Sequence, residues 1–254
     1  MVRAADRAKR PARASVWLAD KARAERGGQP SGLDRERITA TAVRLLDAEG
    51  LAKFSMRRLA AELSVTAMSV YWYVDTKDDL LELALDRVLG EIGEPERVPD
   101  EDWRDEMRAL AARYRGVLVR HPWVSPLQGT FLNIGPNALH FSTAVQQVVG
   151  RAGLPTSVQA GAMAAVFQFV YGFGTNEGHF IERCAAAGVS QDEYFSDAMT
   201  AVTRSPLATG VIEGSKTLME ARGGDTVAEM FERDFTMALD ILIAGIEAMV
   251  ARPA

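Results

Sequence analysis

Residues 54–81, FSMRRLAAELSVTAMSVYWYVDTKDDLL, decide how the rest of the chain is read. Ser55 is placed to cap a short helix in which Met56, Leu59, Ala60 and Leu63 fall at i, i+3, i+4 and i+7, a single inward stripe. Ser64 and Val65 then make a tight connection. Thr66 is a natural N-cap for a second helix, Ala67 to Tyr73, where only Val70, with Val74 just beyond, clearly asks for burial. The outward face carries Ala67, Met68, Ser69, Tyr71, Trp72 and Tyr73, small and aromatic groups without charge on a helix too short to be stable alone. Thr76 with Asp79 reads as a capping pair that opens a third helix.

A helix-turn-helix with such a face suits a major groove. Small residues allow close approach to base edges and methyl groups, while hydroxyls reach phosphates. Arg57 and Lys77 bracket the second helix, and each is placed to meet a phosphate from one side. Short helices with aromatic faces also pack on neighbouring domains, and the pattern alone does not choose between the two.

The stretch SMRRLAAELSVTAMSVYWYVDTKDDLLELAL, preceded by LDRERITATAVRLLDAEG, resembles the N-terminal domain of the tetracycline-repressor (TetR) family of bacterial transcription regulators. The likeness is dense from Leu33 to about Ile92. It includes Ala48-Glu49-Gly50 closing the first helix, the Arg57, Leu59, Ala60, Leu63 pattern, the Tyr71-Trp72-Tyr73-Val74 run and Lys77. The resemblance implies an all-α chain, a three-helix helix-turn-helix domain followed by a larger helical domain for ligand binding and dimerisation. It also implies operator contacts from Ser55, Arg57, Thr66, Ala67, Met68, Ser69, Tyr71, Trp72, Tyr73 and Lys77. One departure stands out: the family usually has glycine where this chain has Ser64, so a serine must hold a conformation that glycine tolerates better.

Length and composition agree with two domains. The chain has 254 residues and 48% hydrophobic content, enough for one small and one larger core. A single cysteine, Cys184, excludes an intrachain disulfide and fits a reducing cytoplasm. The basic N-terminus has no apolar core of a secretory signal, and no uncharged run approaches the ~20 residues that span a bilayer. A cytoplasmic location is expected. The net charge of −5 is polarised: residues 1–32 hold eight Lys or Arg against three Asp or Glu, a net of +5, which leaves −10 on the other 222. A basic arm beside a reading head attracts DNA while an acidic body repels it from wrong faces.

The expected organisation is an arm (1–32), a DNA-binding domain (33–93) and a ligand-binding and dimerisation domain (94–254). In the arm, Arg and Lys side chains surround an apolar island at Val16, Trp17 and Leu18. It reads either as a solvated tail or as a minor-groove arm docked on the protein through Trp17. Asp34 caps the first helix, whose stripe is Ile38, Ala42, Leu45 and Leu46, and Gly50 stops it. Leu80, Leu81, Ala84, Leu85, Val88, Leu89 and Ile92 form a stripe too wide for one small domain, so the helix from Thr76 to Ile92 should touch both. GEPERVPDED marks the boundary near 93–100.

Trp103, Met107, Leu110, Ala111, Tyr114, Val117 and Leu118 define an amphipathic helix ending at His121-Pro122. A further helix runs from about Pro136 to Gly153. From Pro155 a long segment is rich in large rings, and a ligand pocket is expected from Gln128, Phe131, Asn133, Met163, Phe167, Gln168, Tyr171 and Asn176. Core packing is the competing explanation for any one ring. Ser190 with Glu193 is a capping box. Between Ala238 and Val250 only Asp240 and Glu247 are charged, and they share one narrow stripe. A helix so apolar on its other faces should pack on its own domain and on a second copy, giving a homodimer through the Thr226–Ala251 and Thr156–Phe180 helices.

Other chemistries fit poorly. In Gly172-Phe173-Gly174-Thr175-Asn176-Glu177-Gly178 the third glycine is one position late for a dinucleotide loop and no strand precedes it. His121, His140 and His179 lack acidic partners at metal spacing, and no Ser/His/Asp set has a nucleophile's context. No cofactor, metal or enzymatic activity is expected. Aligned with the tetracycline repressor by Gly129-Thr130 and Gly172, the chain has Gln128 and Gln168 where that pattern has histidines, and such amides suit magnesium-tetracycline poorly. The expected function is a repressor that leaves a palindromic operator when a small apolar or aromatic molecule binds. The alternative is a helical small-molecule-binding protein or enzyme without a DNA-dependent role.

Overall fold

The structure is a computed structural model that describes residues 15–18, 33–93, 102–204, 214–215, 217–218 and 221–251. Its regular elements are helices, with no strand among the described residues. They group into two compact units, one made of residues 1–96 and 120–145, the other of 97–119 and 146–254.

In the first unit, α1 (Arg35–Glu49) opens on Asp34, whose side chain accepts from the Arg37 amide, and stops at Gly50 with φ of 75°. Helix α2 (Met56–Glu62) opens on Ser55 and α3 (Ala67–Tyr71) on Thr66, each hydroxyl accepting the amide three residues on. Between them Ser64 sits at φ 56°, the left-handed region where a Cβ is crowded. The strained serine expected at this turn is present. Helix α3 is shorter than the Ala67–Tyr73 span: Trp72 is its C-cap, and Tyr73 and Val74 lie beyond it. The third helix, α4 (Lys77–Leu89), starts from Thr76 and tightens into a 3₁₀ turn, Gly90–Ile92.

Helix α4 is buried on most of its circumference, including two acids, Glu82 and Asp86. The reason lies in what packs on it. Residues 120–145 return to the head: α6 (Val124–Gln128) packs on α4, and Asp86 accepts from the Ala138 amide (2.9 Å) at the start of α7 (Pro136–Arg151). His121 and Trp123 both bond Asp47 of α1, each at 2.6 Å. The expected division near residue 94 therefore separates segments that the fold packs together, because carboxylates of α1 and α4 bind groups from beyond it.

The second unit is built on α5 (Trp103–Arg120), the 32-residue α8 (Thr156–Ala187), α9 (Gln191–Thr203) and α10 (Val227–Val250). The Ser190 and Glu193 capping box forms in full. Gly174 lets α8 cross α5 closely, since a Cβ there would stand 3.1 Å from Leu118. The charged stripe of α10 turns toward its own unit: Asp240 receives Arg108 (2.8 Å) and Glu247 receives Arg104, both from α5. From Met237 to Ala248 the face left outside is apolar, with Met237 and Ile241 the most open large side chains.

Candidate nucleic-acid interface and ligand site

Helix α3 exposes what its sequence suggested. Met68 and Trp72 are each 69% exposed and Tyr71 40%, while Val70 and Val74 are buried beneath them. Leaving rings and a thioether in water forgoes roughly 1.5–3 kcal/mol each, which a partner surface would recover. Arg57 is exposed one helix away. Ala67 and Ser69 are partly covered, and the Ser69 and Thr66 hydroxyls lie 2.9 Å apart.

Four of the ten expected DNA contacts also serve the head itself. Ser55 and Thr66 are caps. The Tyr73 hydroxyl donates to the Leu33 carbonyl at 2.6 Å, which ties the chain entering α1 to the residues just past α3. Lys77 donates to the Phe54 carbonyl at 2.8 Å and lies 5.5 Å over the Phe54 ring, so its ammonium is held at the foot of α2. Arg58, adjacent to Arg57, bridges Glu49 (2.7 Å) and Glu62 (2.9 Å), fixing α2 to α1.

The eight expected pocket residues fall in both units. In the first, the Asn133 amide donates to the Gln128 carbonyl (2.7 Å) and the Phe131 carbonyl (3.2 Å), which draws those three into one loop with Asn133 at φ 52°. In the second, Met163, Phe167 and Tyr171 form a half-buried row along α8, and Phe167 faces Tyr114 with centroids 6.4 Å apart. Gln168 and Asn176 lie on the exposed side of α8. These amides, expected among the rings, do not sit there: a helical turn of about 100° per residue carries them away from the Met163, Phe167, Tyr171 row. Phe169 and Phe173, also half-buried, pack on Phe235 at 5.6 and 5.4 Å.

Two charge clusters escaped sequence reasoning. In the second unit Arg115 makes a paired contact with Glu177 (2.6 and 2.9 Å), reaches Glu232 (2.6 Å) and stacks 4.5 Å over Phe235. In the first, buried His121 lies between Asp47 (2.6 Å) and Glu91 (3.2 Å), and Glu91 also meets Arg120 at 3.2 Å. Burial opposes the imidazolium, but the hydrogen bond and charge of Asp47, helped by Glu91, hold its pKa above the ordinary histidine value. The isolated Glu177 in an apolar helix was a signal for the first cluster. Nothing local announces the second.

Cavities are open within the described residues of each unit. One of about 550 Å³ lies between α9 and the start of α10, lined by Phe195, Met199, Val227 and Met230 with Asp192 and Asp225. One of about 170 Å³ lies beside Gly90, Asn137 and His140. None of the eight expected pocket residues lines either of these two. No helix among the described residues is long and apolar enough to cross a membrane.

A capped helix-turn-helix with an uncharged exposed second helix, followed by a large helical unit, defines a helical DNA-binding regulator. Residues 38–84 match the family described as "Bacterial regulatory proteins, tetR family", and residues 94–250 match "Tetracyclin repressor-like, C-terminal domain". The chain belongs to the TetR family of transcriptional regulators, a family without enzymatic activity. It is 31% identical over 230 residues, 91% of this chain and 83% of the other, to the HTH-type transcriptional repressor DrrR1 of Streptomyces coeruleorubidus. It is 43% identical over 143 residues to an HTH-type transcriptional regulator of Saccharopolyspora erythraea, a match spanning 55% of this chain and 59% of that relative. Among solved structures, ActR of Streptomyces coelicolor in complex with actinorhodin aligns with a TM-score of 0.68 at 27% identity, covering 89% of this chain and all of that one.

Proposed function

We propose that the protein is a homodimeric repressor that binds a palindromic operator and leaves it when a small apolar or aromatic molecule binds the C-terminal domain. The observation that carries the reading is the exposure of Met68, Tyr71 and Trp72 on a short helix with no charge on its face. Two such helices about one duplex turn apart, ~34 Å, fit successive major grooves. Dimerisation is supported by two unpartnered faces in the second unit. Helix α10 exposes Met237, Ile241, Ala244, Gly245 and Ala248, and α8 exposes Gly161, Ala164 and Ala165, small residues that allow close helix contact. The effector proposal draws on the half-buried row of Met163, Phe167 and Tyr171 and on ActR, which was solved with actinorhodin bound. Gln128 and Gln168 remain poor magnesium ligands, so a magnesium-tetracycline effector is not part of the proposal.

The direct test is a gel shift of the purified protein on its own upstream intergenic DNA, repeated with actinorhodin as an aromatic probe. A specific shift that the probe relieves is expected; no specific shift sinks the reading. Arg57→Ala should weaken binding to every sequence alike and reduce the salt slope by about 1. Tyr71→Ala should weaken binding at unchanged fold stability, and wild-type affinity in both variants would mean that α3 is not the reading helix.

A further inference from the structure

Before the DNA-binding domain, the described residues 15–18 are anchored on α4. Glu82 and Asp86 lie one turn apart on α4, and both are buried, where an unpaired carboxylate is costly. Each is satisfied by a different segment. The two Glu82 oxygens accept the Ser15 hydroxyl (2.5 Å) and the Val16 amide (2.8 Å), from a turn closed by Leu18 N donating to Ser15 O (3.2 Å). Asp86 accepts the Ala138 amide (2.9 Å) and the Asn137 side chain (3.1 Å), a charged cap on the start of α7. The two anchorages meet at Gly135. A methyl group placed there would overlap the Asp86 carboxylate and stand 2.8 Å from Trp17 Cε2.

We infer that Ser15–Trp17 is a clip that positions the start of α7 on α4, with Trp17 laid over Gly135 so that neither anchorage can open without disturbing the other. The start of α7 cannot leave Asp86 along the Gly135 side without pushing on the indole. The turn cannot leave without stranding Glu82. The start of α7 lies in the same unit as the reading head, so the clip restrains an element held against α4 of that head. That last consequence rests on the proposed DNA-binding function; the clip itself does not. The clip makes the N-terminal segment a positioning element for DNA binding, separate from any charge its arginines supply.

The test uses the full chain and reads each anchorage while the other is perturbed. Trp17→Ala should speed amide exchange at Ala138 about tenfold, and Gly135→Ala should speed it at Val16 by a similar factor, as coupling between two sites is reciprocal. Wild-type exchange at Ala138 in the first variant, or at Val16 in the second, overturns the clip. Thermal melts of both variants confirm that each is folded. In operator binding, Trp17→Ala should lower affinity about tenfold with the wild-type salt slope, whereas replacing Arg3, Arg7 and Arg10 together would change the slope if the arm meets phosphates. Unchanged affinity in a Trp17→Ala protein whose Ala138 exchange has risen overturns the positioning role. A wild type that binds no operator defeats the proposed function instead, and the exchange measurements still decide the clip.

Discussion

Helix α3 and the centre of α8 are both rich in rings, yet they dispose of them in opposite ways. Helix α3 and its cap hold Tyr71 and Trp72 outward over two valines, whereas α8 turns Phe169 and Phe173 inward onto Phe235, which is 2% exposed. The difference is one of length and neighbours. Five residues of α3 offer a single buried position, Val70, so its rings have no core to enter. Thirty-two residues of α8 run beside α10, which supplies Phe231 and Phe235 at matching heights. Aromatic content marks a surface only where the element is too short to bury it.

The sharpest way to test this contrast is to remove a ring from each region. Phe235→Ala should cost about 3–5 kcal/mol in denaturant unfolding, because it empties the centre of a ring cluster. Trp72→Ala should stay within about 0.5 kcal/mol of wild type and show its effect in operator binding. Equal losses of stability would erase the distinction.

The charge clusters extend the comparison. Glu177→Ala should destabilise by roughly 3 kcal/mol, since Arg115 would keep only the more exposed Glu232. The double change Arg115→Met with Glu177→Leu should recover most of that loss, because two apolar groups of similar size need no counter-charge. A double variant as unstable as Glu177→Ala would show that packing, not the stranded guanidinium, carries the cost.

Arginine keeps its charge at every working pH, but His121 does not. Its pKa in the folded protein lies above the ordinary value of ~6.5, so its contribution is complete below that value and is lost as pH rises through the raised one. The melting-temperature gap between wild type and His121→Gln should therefore be largest near about pH 6 and shrink toward about pH 9. Asp47, Glu91 and Arg120 surround the ring, with the Trp123 indole on Asp47. A gap that is flat with pH would remove the imidazolium from the account. A small gain belongs to the turn: Ser64→Gly should stabilise by up to about 1 kcal/mol, relief of the left-handed φ being partly offset by glycine's entropy.

Much of this molecule was legible in its residues. Asp34, Ser55, Thr66, Thr76 and Ser190 all cap the helices their positions announced, and the core stripes of α1, α4 and α5 are those the spacing marked. The pocket was read less well, since Gln168 and Asn176 were grouped with rings near them in sequence but on another side of the helix. The return of residues 120–145 to the head, and the stripe of Asp240 and Glu247 turning to meet Arg108 and Arg104, were not legible at all.

Caps, turns and stripes depend on groups three or four positions apart, so the linear chain alone determined the helices, their ends and the helix-turn-helix. Which side of α8 and α10 stays open, what satisfies Glu82, Asp86 and Glu177, and where Trp17 comes to rest depend on partners tens of residues or more away. A carboxylate has no periodicity that names its distant donor, and only the folded chain brought the two together.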